Sequence, residues 1–495
     1  METMATNGRD EGGGAADRIS SLPDHLLHTI LLRLRDVAAA ARTSALSRRW
    51  RRVWPHLPEL CFPFRCPADT PVSVEREQQR RVDAALAAHA APTVTLLDIA
   101  LPYWVAAPLQ NPPDPDRDDP LLRFLASRRV AGELRLELRG GWHDFVLPLC
   151  ERATVISLFL MGPTLRFQPP PPLPLPAAAG GGGAFAALAS LMIIRARVYG
   201  RELEDVLRSR CPRLKELLLR QIRLEDDKDY PVLSIHSDSL ERLEVEMYAD
   251  FVAPLQVVAP RLQVFVPKRI SAGARIVAPR LLELRWHGPY DPTRHDLREA
   301  RRHLQRLEID KNSPAAKLIG QFYAVHELHL TIQVWKGTEE YDGYLQLINR
   351  LPKCEVLVVG FFVAQHAIKP VMLHFLNKCA GVKKIVFRSL GYPKDKCQCK
   401  SWECQCDGSK QSHKIDDTAL GSLEQVEIKE HMEAYHKMEF IKLLCEYSAR
   451  FQKRVTITVI EKKHSVREKI CNTRVPNDKV VINVRSPRAG TRMDS

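Results

Sequence analysis

A short pattern, apolar at its first, fourth and sixth positions, returns along most of the chain and limits what the chain can fold into. It reads Leu188, Leu191, Ile193; Leu214, Leu217, Leu219; Leu240, Leu243, Val245; Leu281, Leu284, Trp286; Leu304, Leu307, Ile309; Val325, Leu328, Leu330; Cys354, Leu357, Val359; Val382, Ile385, Phe387; and Leu423, Val426, Ile428. A degenerate copy starts at Leu262. The first positions step by 26, 26, 22, 19, 23, 21, 29, 28 and 41 residues. In the last three positions alternate side chains face one way, as in a short strand. The first leucine, three residues earlier, belongs under the turn that enters the strand. One such unit cannot bury its own apolar face, whereas stacked units share a continuous core.

The steps mostly bracket the roughly 20–29 residues of a leucine-rich repeat, and the last marks an insertion. The expected fold is therefore α/β, a repeat solenoid over about 121–410. The polar alternates Arg220, Arg242, Glu244, Glu246, Arg285, Arg306, Glu308, His329 and Lys384 are expected on or near its exposed side. Two low-complexity stretches, 111–120 and 169–183, cannot be core, because proline removes backbone donors and glycine adds chain entropy. They read as loops, the second with a polyproline-ligand alternative.

At 495 residues and 45% apolar content the chain exceeds one ordinary compact domain and can bury a sizeable core. Its net charge of +14 is spread over several segments, so it permits an acidic partner without singling out nucleic acid. The first 17 residues are polar and glycine-rich and read as disordered. No run approaches the 18 apolar residues of a membrane span, and the twelve cysteines fall at uneven spacings. These features fit a reducing setting, cytoplasmic and/or nuclear.

Residues 18–60 read as helical. Leu22-Pro23-Asp24 gives a turn and helix start, and Leu26, Leu27, Ile30, Leu31 and Leu34 supply a wide apolar face. Asp36 can cap a second helix with Val37, Ala41, Ala45 and Leu46 on its apolar side. Trp50 and Trp54 share a face if helix continues, and Pro55 should end it. Between Arg18 and Leu60 stand eight arginines against three acids. The apolar side of a helix suits packing or an acidic partner protein better than base stacking, which wants aromatics on a sheet or channel.

This stretch, "ISSLPDHLLHTILLRLRDVAAAARTSALSRRWRRVWPHLPEL" at 19–60, resembles the F-box. It carries the Leu-Pro-Asp opening and the Thr-Ser-x-Leu-Ser-Arg-Arg-Trp ending of plant members. The segment 420–459, with its Val-Glu-Ile strand, Phe-Ile-Lys-Leu-Leu helix and Val-Thr-Ile strand, resembles the FBD region that ends many of those proteins. The resemblance implies a three-helix F-box at 18–60, a linker leading into the solenoid at 61–120, the solenoid at 121–410, an FBD-like α/β cap at 411–460 and a basic tail at 461–495. It also implies binding to a Skp-type adaptor and, through it, to a cullin-based ubiquitin ligase, with the repeats holding a substrate protein; the alternatives are a non-degradative repeat scaffold, with or without adaptor binding, and a basic nucleic-acid-binding repeat protein. Carried over position by position, the adaptor contacts would be Leu22, Pro23, Leu26, Ile30, Leu31, Leu34, Leu46, Trp50 and Trp54.

No catalytic constellation stands out, so the chain is expected not to be an enzyme and to need no cofactor. "HELHL" at 326–330 puts Leu330 where a zinc-protease helix needs its second histidine. Gly180–Gly183 is not followed by a phosphate-loop lysine. Cys397, Cys399, Cys404 and Cys406 are candidate zinc ligands, but their Cys-x-Cys spacing is tighter than structural sites use, and a loop of reduced thiols is the favoured reading. "EKKHSVREK" at 461–469 reads as solvated tail, with nuclear targeting as the alternative.

Overall fold

The computed structural model describes residues 22–64, 72–101, 119–127, 129–140, 144–169, 185–225, 232–248, 253–301, 303–310, 315–334, 338–363, 368–391, 419–429, 434–473, 475 and 478–486. The protein is α/β, with eleven α-helices and twenty-three strands among the described residues. Two compact units divide it, residues 1–197 and 198–495. The glycine-rich start, nearly all of both low-complexity stretches and the cysteine-rich segment lie outside the described residues.

The first unit opens with helices α1 (Asp24–Leu34), α2 (Val37–Arg42) and α3 (Trp50–Val53). Asp36 caps α2 as its sequence position suggests, accepting from the Ala38 amide at 2.8 Å. Arg35 takes the left-handed conformation (φ 48°) that ends α1, and its amide bonds the Leu32 carbonyl. Pro55 does not terminate regular helix directly: α3 stops at Val53, and Pro55 sits in a 3₁₀ turn, Trp54–His56.

Parallel strands β1 (Glu59–Phe62), β2 (Val94–Leu101), β3 (Val130–Arg139), β5 (Val155–Met161) and β7 (Ser190–Ile194) follow; β4 (Asp144–Leu147) pairs with β6 (Thr164–Phe167). Helices α4 (Val72–Ala88) and α5 (Pro120–Ala126) intervene. Asp119 caps α5, with Pro120 at its first turn, so the low-complexity stretch ends in a helix start. Registered rows such as Leu60–Leu97–Leu134–Ile156–Leu191 form the core. Strand pairing therefore begins at Glu59, well before 121. Gly132 permits a register shift between β2 and β3: a Cβ there would lie 2.1 Å from the Thr95 carbonyl oxygen.

The second unit, after the two-residue strand β8 (Arg197–Val198) and helix α6 (Gly200–Asp205), is a longer parallel series. Its strands are β9 (Glu216–Leu224), β11 (Arg242–Met247), β13 (Val264–Lys268), β15 (Glu283–Trp286), β17 (Arg306–Ile309), β18 (Glu327–Val334), β19 (Val356–Val363), β20 (Lys384–Gly391), β21 (Gln425–Ile428), β22 (Val455–Ile460) and β23 (Val480–Arg485). Each pairs with the next in register, aligning Leu217, Leu243, Phe265, Leu284, Leu307, Leu328, Leu357, Ile385, Val426, Ile457 and Ile482 in one row. The leading positions Leu214, Leu240, Leu262 and Leu281 are fully buried. A second parallel sheet holds β10 (Leu233–His236), β12 (Leu255–Val258), β14 (Ala274–Val277) and β16 (His295–Asp296). Helices α7 (Ala315–Ile319), α8 (Thr338–Ile348), α9 (Ile368–Leu376), α10 (Ala434–Glu446) and α11 (His464–Cys471) join the later strands.

Two expectations need correction here. Residues 461–485 are not simply a solvated tail: α11 buries Val466 and Ile470, one turn apart, and β23 pairs with β22 along six residues. The charges of "EKKHSVREK" mask that apolar stripe. Glu244 and His329, expected on or near the exposed side, are each only 4% exposed: Arg220 and Lys268 of the flanking strands bond Glu244, and Arg388, two strands away, bonds His329.

Candidate functional site

The helical module at 22–60 sorts its apolar side chains into two sets. Leu27 and Leu31, four apart, face inward with Val37, Ala40, Trp50, Val53 and Leu57 and are buried. Pro23 is exposed, and Leu26 and Ile30 are each 40% exposed; Leu34 is 45% and Leu46 70% exposed. Leu22 and Trp54 are half-buried. Of the nine expected contact positions, five are thus surface groups. Leu31 and Trp50 instead complete the module's own core and are corrected as such: their spacing from Leu27 and Val53 turns them inward.

The arginines also divide. Arg49 donates to Asp24 Oδ1 at 2.6 Å and to the Leu22 carbonyl at 2.5 Å, tying the start of α1 to the segment before α3. Arg51 donates to the Ser44 carbonyl. His28 Nε2 lies 3.1 Å from the Val53 carbonyl, a second strut between these helices. The exposed stripe along Pro23, Leu26, Ile30 and Leu34 is therefore held on a braced frame. Spending four large apolar groups on a water-facing helix edge makes sense as cover for a partner's groove.

The solvent-side face of the second unit carries charges in registered rows. Glu244 accepts from Arg220 Nε at 2.6 Å and from Lys268 Nζ at 2.8 Å. Burial alone would raise its carboxyl pKa, but these two donors outweigh it and the net shift is downward. Glu283, Arg285, Arg306, Glu308, Glu327, His329 and Arg388 form a continuous network. His329 Nδ1 takes a hydrogen bond from Arg388 at 2.6 Å, and Nε2 donates to Glu327 Oε1 at 2.5 Å. Burial lowers its pKa, the Glu327 hydrogen bond opposes that, and the Arg306 and Arg388 charges reinforce it. This arrangement neutralises itself, three carboxylates against three guanidiniums.

Among the described residues no group of three or more His, Cys, Asp or Glu side chains is placed to hold a metal ion, and no helix is long and apolar enough to cross a membrane. Cys397, Cys399, Cys404 and Cys406 lie outside those residues.

Comparison with known proteins gives this geometry a lineage. An F-box protein of Arabidopsis thaliana is 33% identical over 252 residues, 51% of this chain and 69% of that relative. The chain belongs to the F-box proteins. An Arabidopsis thaliana F-box/FBD/LRR-repeat protein is 30% identical over 236 residues, 47% of this chain and 50% of that protein. The F-box/LRR-repeat protein 25 of the same plant is 48% identical over 48 residues, 19% of its length. The chain thus spans half or less of these last two relatives. No protein-family model matches it. The resemblance to F-box proteins with leucine-rich repeats and an FBD region holds, and an F-box that keeps Trp50 inside and Leu26 outside is what the helical frame presents.

Proposed function

We propose that this F-box protein is the substrate-recognition subunit of a Skp adaptor–cullin ubiquitin ligase. The observation that carries the reading is the exposed stripe Pro23, Leu26, Ile30 and Leu34, with Leu46, on a module whose inner positions are already filled. A Skp-type adaptor covers that stripe; rim arginines such as Arg48 and Arg52 speed encounter with its acidic surface. The repeats of the second unit stack as a leucine-rich-repeat solenoid, closed by an FBD-like cap, and the outward faces of the strands hold a target protein. The chain works by proximity and not by side-chain chemistry, since other subunits transfer ubiquitin and this one raises the local concentration of a target lysine.

The test is capture of a purified Skp-type adaptor by the full chain and by the Leu26→Ala/Ile30→Ala variant, with thermal melts confirming equal folding. Loss of capture in the variant supports the reading. Equal capture, or none by the wild type, removes it. Salt-sensitive binding of single-stranded nucleic acid in place of adaptor, lost on charge reversal of Arg48 and Arg52, favours a nucleic-acid-binding role.

A further inference from the structure

On the outward face of the first unit, β3 carries charged side chains, Glu133, Arg135, Glu137 and Arg139, whereas β5 and β7 turn apolar ones outward. Registered across it are Ser157 beside Met192 and Phe159 beside Ile194, with Met161 following at the end of β5. Phe159, Met192 and Ile194 are half-buried, and Met161 is 38% exposed. Four large apolar side chains on the water side of a sheet form a patch that outward alternation does not require.

Arginines gather where these strands end. Arg139, the last residue of β3, places its guanidinium 5.7 Å from the Phe159 ring centre; Arg195, just past β7, lies 5.6 Å from it. Arg195 Nη1 also reaches Met161 Sδ at 3.6 Å, and Arg197 donates to the Gly162 carbonyl. Arg195 holds a positive φ of 54°, an uncommon conformation for a side chain of this size, which turns it back over the platform. Across Glu133, Arg135, Glu137, Arg139, Arg195 and Arg197 this face and its rim carry four positive groups to two negative; Glu133 pairs with Arg135, and Glu137, in register with Phe159, pairs with Arg139 at 2.6 Å.

We infer that this platform binds an extended acidic segment of a target protein. Its apolar side chain seats against Phe159, Met192 and Ile194, and its Asp or Glu carboxylate meets Arg139 and Arg195. Extended peptide matches the sheet because alternate side chains point one way, so an apolar residue and an acid two positions apart both face the protein. The inference rests on the reading that the strand faces hold a target, and it names that target's chemistry.

The test uses fluorescein-labelled short peptides of alternating leucine and glutamate, leucine and lysine, leucine and serine, and leucine and phosphoserine. Binding to the full chain is followed by fluorescence anisotropy. The leucine–glutamate peptide is expected to bind at least ~10-fold more tightly than the lysine and serine peptides, and to lose ~10-fold on Arg139→Gln/Arg195→Gln or on Phe159→Ser, a change typical of losing one well-placed contact. Equal binding of the glutamate and lysine peptides overturns it. So does binding confined to phosphoserine, or undiminished binding by the variants. If Phe159→Ser melts early, the arginine pair, both at exposed positions, keeps the test decisive. Adaptor capture measured on the same preparations separates the two claims: peptide binding without adaptor capture removes the ligase reading alone, and the converse removes the platform alone.

Discussion

Lys437 on α10 is fully buried, and its Nζ lies 2.6 Å from Glu461 Oε2 and 3.0 Å from the Ile460 carbonyl oxygen. Replacing Glu461 by leucine takes away the carboxylate that faces this buried ammonium. At that separation the attraction is about 6 kcal/mol for an effective dielectric of about 20. Removing one partner of a buried pair costs about 3–5 kcal/mol. The retained Ile460 contact puts the expected loss near 3 kcal/mol, about 6 °C in melting temperature at roughly 2 °C per kcal/mol for a unit of this size. The double variant Lys437→Met/Glu461→Leu should regain most of it, since a volume-matched apolar pair needs no counter-charge. Thermal unfolding by circular dichroism is the assay. Burial would raise the Glu461 pKa, but the Lys437 hydrogen bond and backbone donors hold it below the ordinary value. The wild-type advantage is therefore complete above about pH 4.3 and disappears as pH falls through the lower folded value. A single variant that melts with the wild type at pH 7, or a double variant worse than the single, refutes the reasoning.

Three further outcomes follow from the first unit. Trp50→Ala should cost about 3–5 kcal/mol of stability, because the side chain fills the module core, whereas Leu26→Ala/Ile30→Ala should melt normally and lose adaptor binding by about 10-fold or more; calorimetric titration with adaptor separates them. Gly132→Ala should cost about 2 kcal/mol in urea unfolding, since its Cβ would strike the Thr95 backbone; a neutral result shows that β2 and β3 shift freely. Burial, then the neighbouring Asp119 carboxylate, push Asp83 up to about 6. A raised carboxyl pKa makes the charged form the costly one, so Asp83→Asn should raise the melting temperature at pH 7 and leave it unchanged below about pH 4, where both states are protonated.

From β9 to β21 the main-sheet strands of the second unit were readable because each copy repeats one register of large apolar residues, whereas β23 and the second sheet, β10 to β16, lie outside that pattern. Earlier strands were harder to find. β3 and β5 keep strict alternation, as in Leu134, Leu136 and Leu138, but carry only an alanine, Ala131 or Ala153, at the leading offset, so a pattern of large apolar residues skips them. The helical stripe of α1 was legible as a whole; its division into an inner and an outer edge was not. Leu27 and Leu26 are neighbours of the same type, and only the packing of α3 decides which is hidden. The patch around Phe159 left no local signal, since Arg139, Met161 and Arg195 meet only after three separate strands align.

Among the described residues the series of paired strands in the second unit finishes on β23, residues 480–485. A premature stop codon upstream of Val480 would strip β22 of that neighbour and uncover a row of backbone amides and carbonyls on an apolar ribbon, Val455-Thr-Ile-Thr-Val-Ile460. Such ribbons recruit each other edge to edge. Loss of β23 is thus expected to produce insoluble protein, with the helical module still folded.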